Sequence, residues 1–176
     1  PFFMWRKGEV PPSFTDVIRK VVLLDRLRKV NALVGFTRIE ARDEFADEVT
    51  KPSGLCKGAP KFVPACEVFG EGLFIQFEES AVAQWEMSPA VQKREADLRR
   101  AYKGWRENRN MDSSKGFPGA RFYLLHTISH LFMRELALEC GYNAASIQER
   151  IYAKAGDKPM AGILVYTAAS DSDGTL

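Results

Sequence analysis

The sequence predicts an α+β fold in which helices pack on a small β-sheet that contains a β-hairpin. Three observations predict it. Apolar residues recur at three- and four-residue steps over residues 14–34, short runs rich in β-branched and aromatic residues cover 61–77 and 161–167, and residues 120–140 hold neither proline nor glycine. The long patterns are typical of helices, and the short runs are typical of strands.

Length and composition describe an ordinary folded domain. The chain has 176 residues, of which 45% are hydrophobic and 27% charged, and its formal net charge is +2. We expect one α+β domain over residues 1–176, and any preference for anions must come from a local patch. The apolar start and the abrupt end predict a fragment of a longer chain, with a sub-boundary in the 108–119 loop.

Cysteine usage and hydropathy predict a cytoplasmic protein. Cys56, Cys66 and Cys140 are odd in number and lack C-x-x-C spacing, and no secretory signal is visible. A reducing cytoplasm keeps such thiols free. The longest apolar runs are far too short to span a bilayer, so we expect no membrane association.

The first third of the chain is predicted to begin with a long helix. The helix over 14–34 has one wide apolar face and is predicted to end at Gly35. A short strand over 36–39 and a polar loop over 40–60 are expected to follow, because this stretch contains several prolines and glycines.

A hairpin and a broken helix are predicted next. Strands over 61–69 and 73–77 flank Gly70-Glu71-Gly72, which offers the flexible residues of a hairpin turn. Residues 78–109 are predicted to be helical, with a weak point at Ser88-Pro89.

The last third is predicted to hold the central buried helix, over 120–140, ended by Gly141. Asn143 is expected to cap a further helix that runs to about residue 153. A turn at 156–159 then leads to a buried strand over 161–167.

His126 and His130 are four residues apart in the central helix, so both imidazoles are predicted to lie on one face. A helix uses this spacing to offer two ligands to a metal. A zinc peptidase needs Glu directly after the first histidine, and Thr127 occupies that position. We expect hydrogen-bonded histidines that pack the helix against its neighbours, with a metal role as the alternative, and we assign no metal ligand.

Other polar residues of the same helix have simpler interpretations. Glu135 and Glu139 are four residues apart, but Glu135 is predicted to point away from the histidine face. Arg134 is predicted to share that face, in a buried ion-pair network or opposite an anion such as phosphate. Cys140 is predicted to be a small buried hydrophobe rather than a nucleophile.

Residues 93–115 are locally basic, with eight Lys and Arg against four Asp and Glu, and aromatic residues are interleaved among them. Single-stranded nucleic acid binds such mixtures, because cations neutralise phosphates and flat rings stack on bases. Composition alone favours a solvated helix face with the rings turned to the core. The candidate nucleic-acid-binding residues are Arg94, Arg99, Arg100, Tyr102, Lys103, Trp105, Arg106 and Arg109.

Motifs for nucleotide binding are missing from the sequence. It contains no G-x-x-x-x-G-K-[ST] loop and no G-x-G-x-x-G loop. Residues 170–174 resemble a calcium loop faintly but lack the closing Glu, and a turn is expected there. We assign no catalytic residue and predict that the chain is not itself an enzyme.

Four segments, 126–131, 134–142, 146–152 and 162–176, together resemble a C-terminal domain found on bacterial superfamily 2 helicases of the MrfA type and on their partners, which is named for zinc binding. Upstream segments at 27–30, 35–38 and 67–74 make the chain similar to DrmB-like proteins of the DISARM anti-phage system. Residues of the shared motif, for which a structural role is expected, are His126, His130, Arg134, Glu135, Cys140, Gly141, Glu149, Arg150 and Tyr152.

The resemblance implies an accessory subunit in phage restriction that partners a DrmA-like helicase and contributes to binding of DNA, including single strands. The alternative is the C-terminal accessory part of a single-chain DNA repair helicase. The family's zinc cysteines lie further toward the C-terminus than residue 176, and none of the three cysteines here matches them. No cofactor is therefore expected in this segment, and zinc only in the remainder of such a protein.

Overall fold

A computed structural model describes residues 3–36, 53–58 and 60–167 of the chain. In these residues five strands and three α-helices form the α+β fold that the sequence predicted. In chain order they are β1 (Met4–Gly8), β2 (Ile18–Ala32), β3 (Ala65–Phe77), α1 (Glu79–Glu86), α2 (Pro89–Glu107), α3 (Gly119–Cys140), β4 (Ile147–Lys154) and β5 (Met160–Thr167). No helix in these ranges combines the length and the apolar character needed to cross a membrane.

The strands form one sheet in the order β1-β2-β3-β5-β4. The pairs β1–β2, β3–β5 and β4–β5 are antiparallel. The β4–β5 hairpin pairs along the whole of both strands, from Ile147↔Thr167 to Lys154↔Met160. Gly156 in its connection has φ 94°, a left-handed conformation that suits glycine.

Strand β2 lies where a helix was predicted over 14–34, and that prediction is wrong. Val22 and Leu24 are buried on one side of the strand. The run 21–24 is apolar on both sides, so helical and strand periods cannot be told apart there from sequence alone. Pairing with β1, which joins Trp5 to Leu24 and Gly8 to Val21, selects the strand.

The hairpin predicted over 61–77 is also wrong, because β3 runs without a break through Gly70-Glu71-Gly72. Gly72 does not form a turn; its missing side chain allows β3 and β5 to approach each other closely. A Cβ built on it would lie 2.8 Å from the carbonyl oxygen of Val165 and 2.8 Å from the Cβ of Tyr166 on β5. Of the strand predicted over 36–39 only Phe36 is described, and it pairs with Ser53 in an isolated bridge.

The helix break predicted at Ser88-Pro89 is confirmed, since α1 ends at Glu86 and α2 begins at Pro89. Proline suits this position because the first amides of a helix have no partner within the helix. The central helix is confirmed as α3, and Gly141 ends it with φ 74°. Its buried residues are confined to the N-terminal half, so the prediction of a wholly buried helix is wrong.

The helix predicted after Asn143 is wrong as well. The side-chain oxygen of Asn143 accepts from the amide of Ala145 at 3.0 Å, but it caps only a short 3-10 turn, and β4 follows. The predicted turn and the last strand are confirmed by the hairpin to β5. The 40–60 loop, except 53–58 and 60, and the 170–174 turn lie outside the described residues.

The apolar core joins α1, α3 and the sheet. Its fully or nearly fully buried members are Ile75, Val82, Leu125, Ala161 and Ile163. By internal contacts the chain divides into two units. One comprises Pro1–Lys29, Val68–Glu95 and Pro118–Leu176 and contains this core, and the other comprises Val30–Glu67 and Ala96–Phe117.

Candidate functional sites

The first candidate site, in the core-containing unit, begins with the two histidines of α3. Their spacing predicts a shared face, and the structure places the Nε2 atoms of His126 and His130 3.2 Å apart. The rings meet edge to face, with centroids 4.4 Å apart. Phe122, one turn earlier, stacks on His126 at 5.4 Å and fixes the plane of that imidazole.

Strand β4 supplies a carboxylate to the same place. Glu149 Oε1 lies 2.9 Å from Nδ1 of His126 and 3.4 Å from Nε2 of His130. Ile147 and Ile151 lie on the same side of the strand as Glu149 and face α3, because alternate residues of a strand share a face. We call His126, His130 and Glu149 the His–Glu cluster.

Two polar atoms of this cluster, Nδ1 of His126 and Oε2 of Glu149, are enclosed without a well-directed hydrogen bond. The side chain of Glu149 is 19% exposed and that of His130 is 59% exposed, so the cluster is buried on the strand side and open on the helix side. Buried polar groups are normally satisfied, so these atoms mark a place where a proton network or a cation is expected.

The remaining motif residues of α3 do not join the cluster. Arg134 was predicted to share the histidine face, but its Nη2 lies 3.1 Å from Oε1 of Glu135, in an exposed pair. Cys140 was predicted to be buried and is exposed, because the last turn of α3 extends beyond the packed part of the helix. The carboxylate that does reach the histidines, Glu149, was missed because its segment was predicted to be helical.

The second candidate site is the cationic part of α2, most of which lies in the other unit. One of the residues predicted there to bind nucleic acid, Arg106, is buried, so its prediction is wrong. Arg106 is 1% exposed, its Nε donates to the carbonyl oxygen of Asp112 at 2.6 Å, and its Nη1 donates to the hydroxyl of Tyr102 at 3.2 Å. Arg106 therefore holds the end of α2 to the following loop and is not available for DNA.

The two rings predicted to stack on bases are also engaged. Tyr102 stacks on Trp105 with centroids 5.7 Å apart, and it meets Phe117 edge to face at the same separation. The guanidinium of Arg109 lies 4.3 Å from the centre of the Trp105 ring, and that of Arg99 lies 4.3 Å from the centre of Phe117. Cation–π contacts and ring packing thus occupy the faces on which a base would stack.

The remaining cations of α2 are exposed. The side chains of Arg100 and Lys103 are 79% and 61% exposed, and their acidic neighbours Asp97 and Glu107 lie 3.3 and 3.7 Å away. Exposed pairs of this kind are weak and allow both cations to meet a polyanion. We call Arg99, Arg100 and Lys103 the α2 cations. Arg94 is also exposed but belongs to the core-containing unit, and Arg109, exposed as well, lies two residues beyond the end of α2.

A further group of cations and rings lies on the face of the sheet opposite α3, and sequence reasoning missed it. Because Glu149 faces α3, Gln148 faces the other way. The amine of Lys29 donates to Oε1 of Gln148 at 2.6 Å and lies 5.7 Å from the ring centre of Tyr166. The alternation was hidden because β2 and β4 were both predicted to be helices.

The same face continues along β4. Arg150 is exposed and lies 5.7 Å from the ring centre of Tyr152, and Tyr152 meets Phe74 edge to face at 5.7 Å. We call Lys29, Arg150, Tyr152 and Tyr166 the sheet-face group. An open sheet that carries rings and cations is also a surface suited to nucleic acid.

Comparison with known proteins relates the chain to a domain family and to a curated protein. The family model described as MrfA Zn-binding domain matches residues 128–176. A protein of Bacillus paralicheniformis named DISARM protein DrmB is 32% identical over 169 residues, which is 95% of this chain and 29% of that protein. The chain therefore spans less than a third of the length of the curated relative that it matches.

The description of the matched family raises the question of zinc. Within the described residues, one group of three or more potential ligands converges, and it is the His–Glu cluster. Two of its members fall inside the matched range, and His126 lies just before it. Two imidazoles and a carboxylate are donors that zinc accepts, so these residues fit the metal in chemical type.

Proposed function

We propose, from the premise that this chain is a DrmB-like sequence, that it is a non-catalytic accessory segment of a DISARM-type anti-phage defence complex and contributes to DNA binding beside a superfamily 2 helicase. In this proposal a DrmA-like partner supplies ATP hydrolysis. The segment's own part is to hold phosphates while the partner moves on DNA.

One observation carries the DNA-binding part of this proposal, and it is the exposure of the α2 cations. Arg100 and Lys103 project from a helix whose C-terminal turn is anchored by buried Arg106. An exposed set of cations releases counterions when it meets phosphates, which favours binding without regard to base sequence.

The contacts of the aromatic residues define the kind of DNA binding. Tyr102 and Trp105 already pack on Phe117 and Arg109, so we expect them to position the cations rather than to stack on bases. Binding should then depend strongly on salt and little on base identity.

The test is DNA affinity of the full-length protein, with its helicase partner present, as a function of salt. We expect Arg100→Gln and Lys103→Gln combined to weaken binding and to reduce the salt slope by about 0.7–0.9 for each phosphate that the variant no longer neutralises. The matched control neutralises two exposed cations elsewhere, Arg19 and Lys158. An unchanged slope in the α2 variant would refute this surface.

The sheet-face group provides the second arm of the same experiment. If the α2 variant binds like wild type while Lys29→Gln with Arg150→Gln loses affinity, the DNA contact belongs to the sheet. Loss in neither variant, with the helicase still bound, would make the segment a docking platform without its own DNA contact.

A second candidate function is the accessory end of a single-chain repair helicase, which the match to the MrfA Zn-binding domain favours. The two candidates differ in where the ATPase motor is encoded. A G-x-x-x-x-G-K-[ST] loop upstream in the same polypeptide supports the repair helicase, and one in a neighbouring gene supports the DISARM-type complex.

A further inference from the structure

We infer that His126, His130 and Glu149 form a binding site for a divalent metal ion of the zinc class, which links α3 to β4. The three side chains come from two elements that are separate in sequence and meet only in the fold. The inference concerns the His–Glu cluster alone and is independent of where DNA binds.

Two of the three distances between the donor atoms are those expected around a zinc ion, and the third pair, His126 and Glu149, is in contact through the other imidazole nitrogen, Nδ1. Metal–ligand bonds of about 2.0–2.1 Å at tetrahedral angles place ligand atoms roughly 3.3 Å apart. Nε2 of His130 lies 3.2 Å from Nε2 of His126 and 3.4 Å from Oε1 of Glu149. All three side chains offer donor atoms within 4.8 Å of one another, so small rotations of the side chains would bring them around one ion.

Hydrogen bonds alone satisfy the cluster poorly. A neutral imidazole has one N–H, and Nε2 of His130 lies against two acceptors, a histidine nitrogen and a carboxylate oxygen. Nδ1 of His126 is 2.9 Å from Oε1 of Glu149 yet makes no well-directed hydrogen bond, and Oε2 of Glu149 is enclosed without a partner. A cation among these lone pairs would satisfy the convergent atoms together.

The donor set defines the class of metal. Imidazole nitrogens suit zinc and its neighbours Co²⁺ and Ni²⁺, whereas Mg²⁺ and Ca²⁺ prefer oxygen ligands throughout. Three protein ligands leave one position of a tetrahedron open, and the 59% exposure of His130 places that position toward solvent. The fourth ligand would be water or a donor from a partner protein.

The site is distinct in chemistry from a cysteine site. Cys56, Cys66 and Cys140 are exposed free thiols, and none belongs to the cluster. A variant with all three replaced by serine separates the two kinds of site. It should keep the ion held by the His–Glu cluster.

The experiment measures metal bound per chain of the full-length protein, with Zn²⁺ alone as the added ligand. We expect Glu149→Gln and His130→Gln each to lose one equivalent of zinc, or to bind it at least about tenfold more weakly. Glu135→Gln, an exposed carboxylate on the same helix, and the triple cysteine variant should retain it. Equal zinc content and affinity in wild type and Glu149→Gln would overturn the inference.

Two further readouts keep the test decisive if a variant folds poorly. Zn²⁺ should raise the melting temperature of wild type and of Glu135→Gln by more than that of Glu149→Gln. The Co²⁺ spectrum that wild type shows and Glu149→Gln lacks should contain ligand-field bands without thiolate charge transfer, and a thiolate band in that difference that disappears in the cysteine variant would refute the assignment. DNA affinity measured on the same samples reports separately on the proposed function.

Discussion

The Nε of Arg106 donates a hydrogen bond of 2.6 Å to the backbone carbonyl oxygen of Asp112, which closes the loop that follows α2. The guanidinium is almost completely enclosed, and Tyr102 accepts a second hydrogen bond from it. A buried cation bonded in this way is part of the folding energy of its unit rather than of its surface chemistry.

Replacing Arg106 should therefore destabilise the protein more than replacing any exposed cation of α2. We expect Arg106→Leu to lower the free energy of unfolding by about 3 kcal/mol, because the carbonyl of Asp112 and the hydroxyl of Tyr102 lose a charged donor. Arg106→Lys should not restore it, since an ammonium lacks the planar fork. Arg100→Gln, the exposed control, should stay within about 0.5 kcal/mol of wild type in urea unfolding.

The carboxylate of Asp112 should titrate at unusually low pH. Hydrogen bonds from the side chain and the backbone amide of Ser114, with help from Lys115, lower the pKa of Asp112 to about 2. Because the folded pKa lies below the unfolded value of about 3.9, the stability that it contributes is present above about pH 4 and is lost as pH falls toward about 2.

Carboxyl NMR titration checks this directly. Ser114→Ala removes the hydroxyl that donates to Asp112 at 2.6 Å and should raise the midpoint of the Asp112 titration, while the backbone hydrogen bond keeps it below the usual range. Ser113→Ala is the matched control and should leave the midpoint in place. An identical midpoint in wild type and Ser114→Ala would contradict the assignment.

Arg121 should be one of the most sensitive polar positions of the core-containing unit. It is 5% exposed, and its guanidinium meets both Glu79 at 3.0 Å and Glu86 at 2.7 Å, so α3 is fixed to α1. Hydrogen bonding to Glu86, opposed by burial, raises the pKa of Arg121 and keeps it charged. Arg121→Met should cost about 3–5 kcal/mol of unfolding free energy, because it leaves two carboxylates without their cation.

A double substitution tests the cause of that loss. If unpaired charge is responsible, Glu79→Gln and Glu86→Gln added to Arg121→Met should recover part of the stability in chemical denaturation. No recovery would assign the loss to packing of the arginine stem and to the hydrogen bonds that Arg121 donates to the backbone carbonyls of Lys154 and Met160.

Gly72 should tolerate no side chain. Its Cβ would meet the carbonyl of Val165 and the Cβ of Tyr166, so Gly72→Ala should cost about 1–3 kcal/mol through overpacking between β3 and β5. Gly104 lies within α2 with open space around it, and Gly104→Ala should instead stabilise by about 0.5–1 kcal/mol. Thermal melts of the two variants should therefore move in opposite directions.

The sequence correctly predicted the helix ends that are marked by proline or glycine. Ser88-Pro89 and Gly141 mark helix ends by the chemistry of proline and glycine, and the helices end there. The run over 161–167 was predicted because its composition suits only a buried strand. Strands β2 and β4 were missed because their apolar spacing fits either period, and pairing across the sheet, which decides between them, is not local.

The candidate sites divide in the same way. Four-residue spacing within a helix was enough to bring His126 and His130 together. Glu149 could join them only through a strand crossing the helix, so its place depended on a tertiary contact. In the sequence Arg106 cannot be told from its basic neighbours. It is distinguished only in the fold, where the loop after α2 folds back and the carbonyl of Asp112 accepts its hydrogen bond.

The pleat of β4 places two adjacent residues of opposite charge on opposite faces of the sheet. Glu149 faces the histidines of α3, and Arg150 faces the opposite side of the sheet beside Tyr152. A slip of one residue in the β4–β5 hairpin would exchange an anion for a cation at both surfaces at once. The length of the short connection at Gly156 thus sets which charge meets the imidazoles, although it touches neither site.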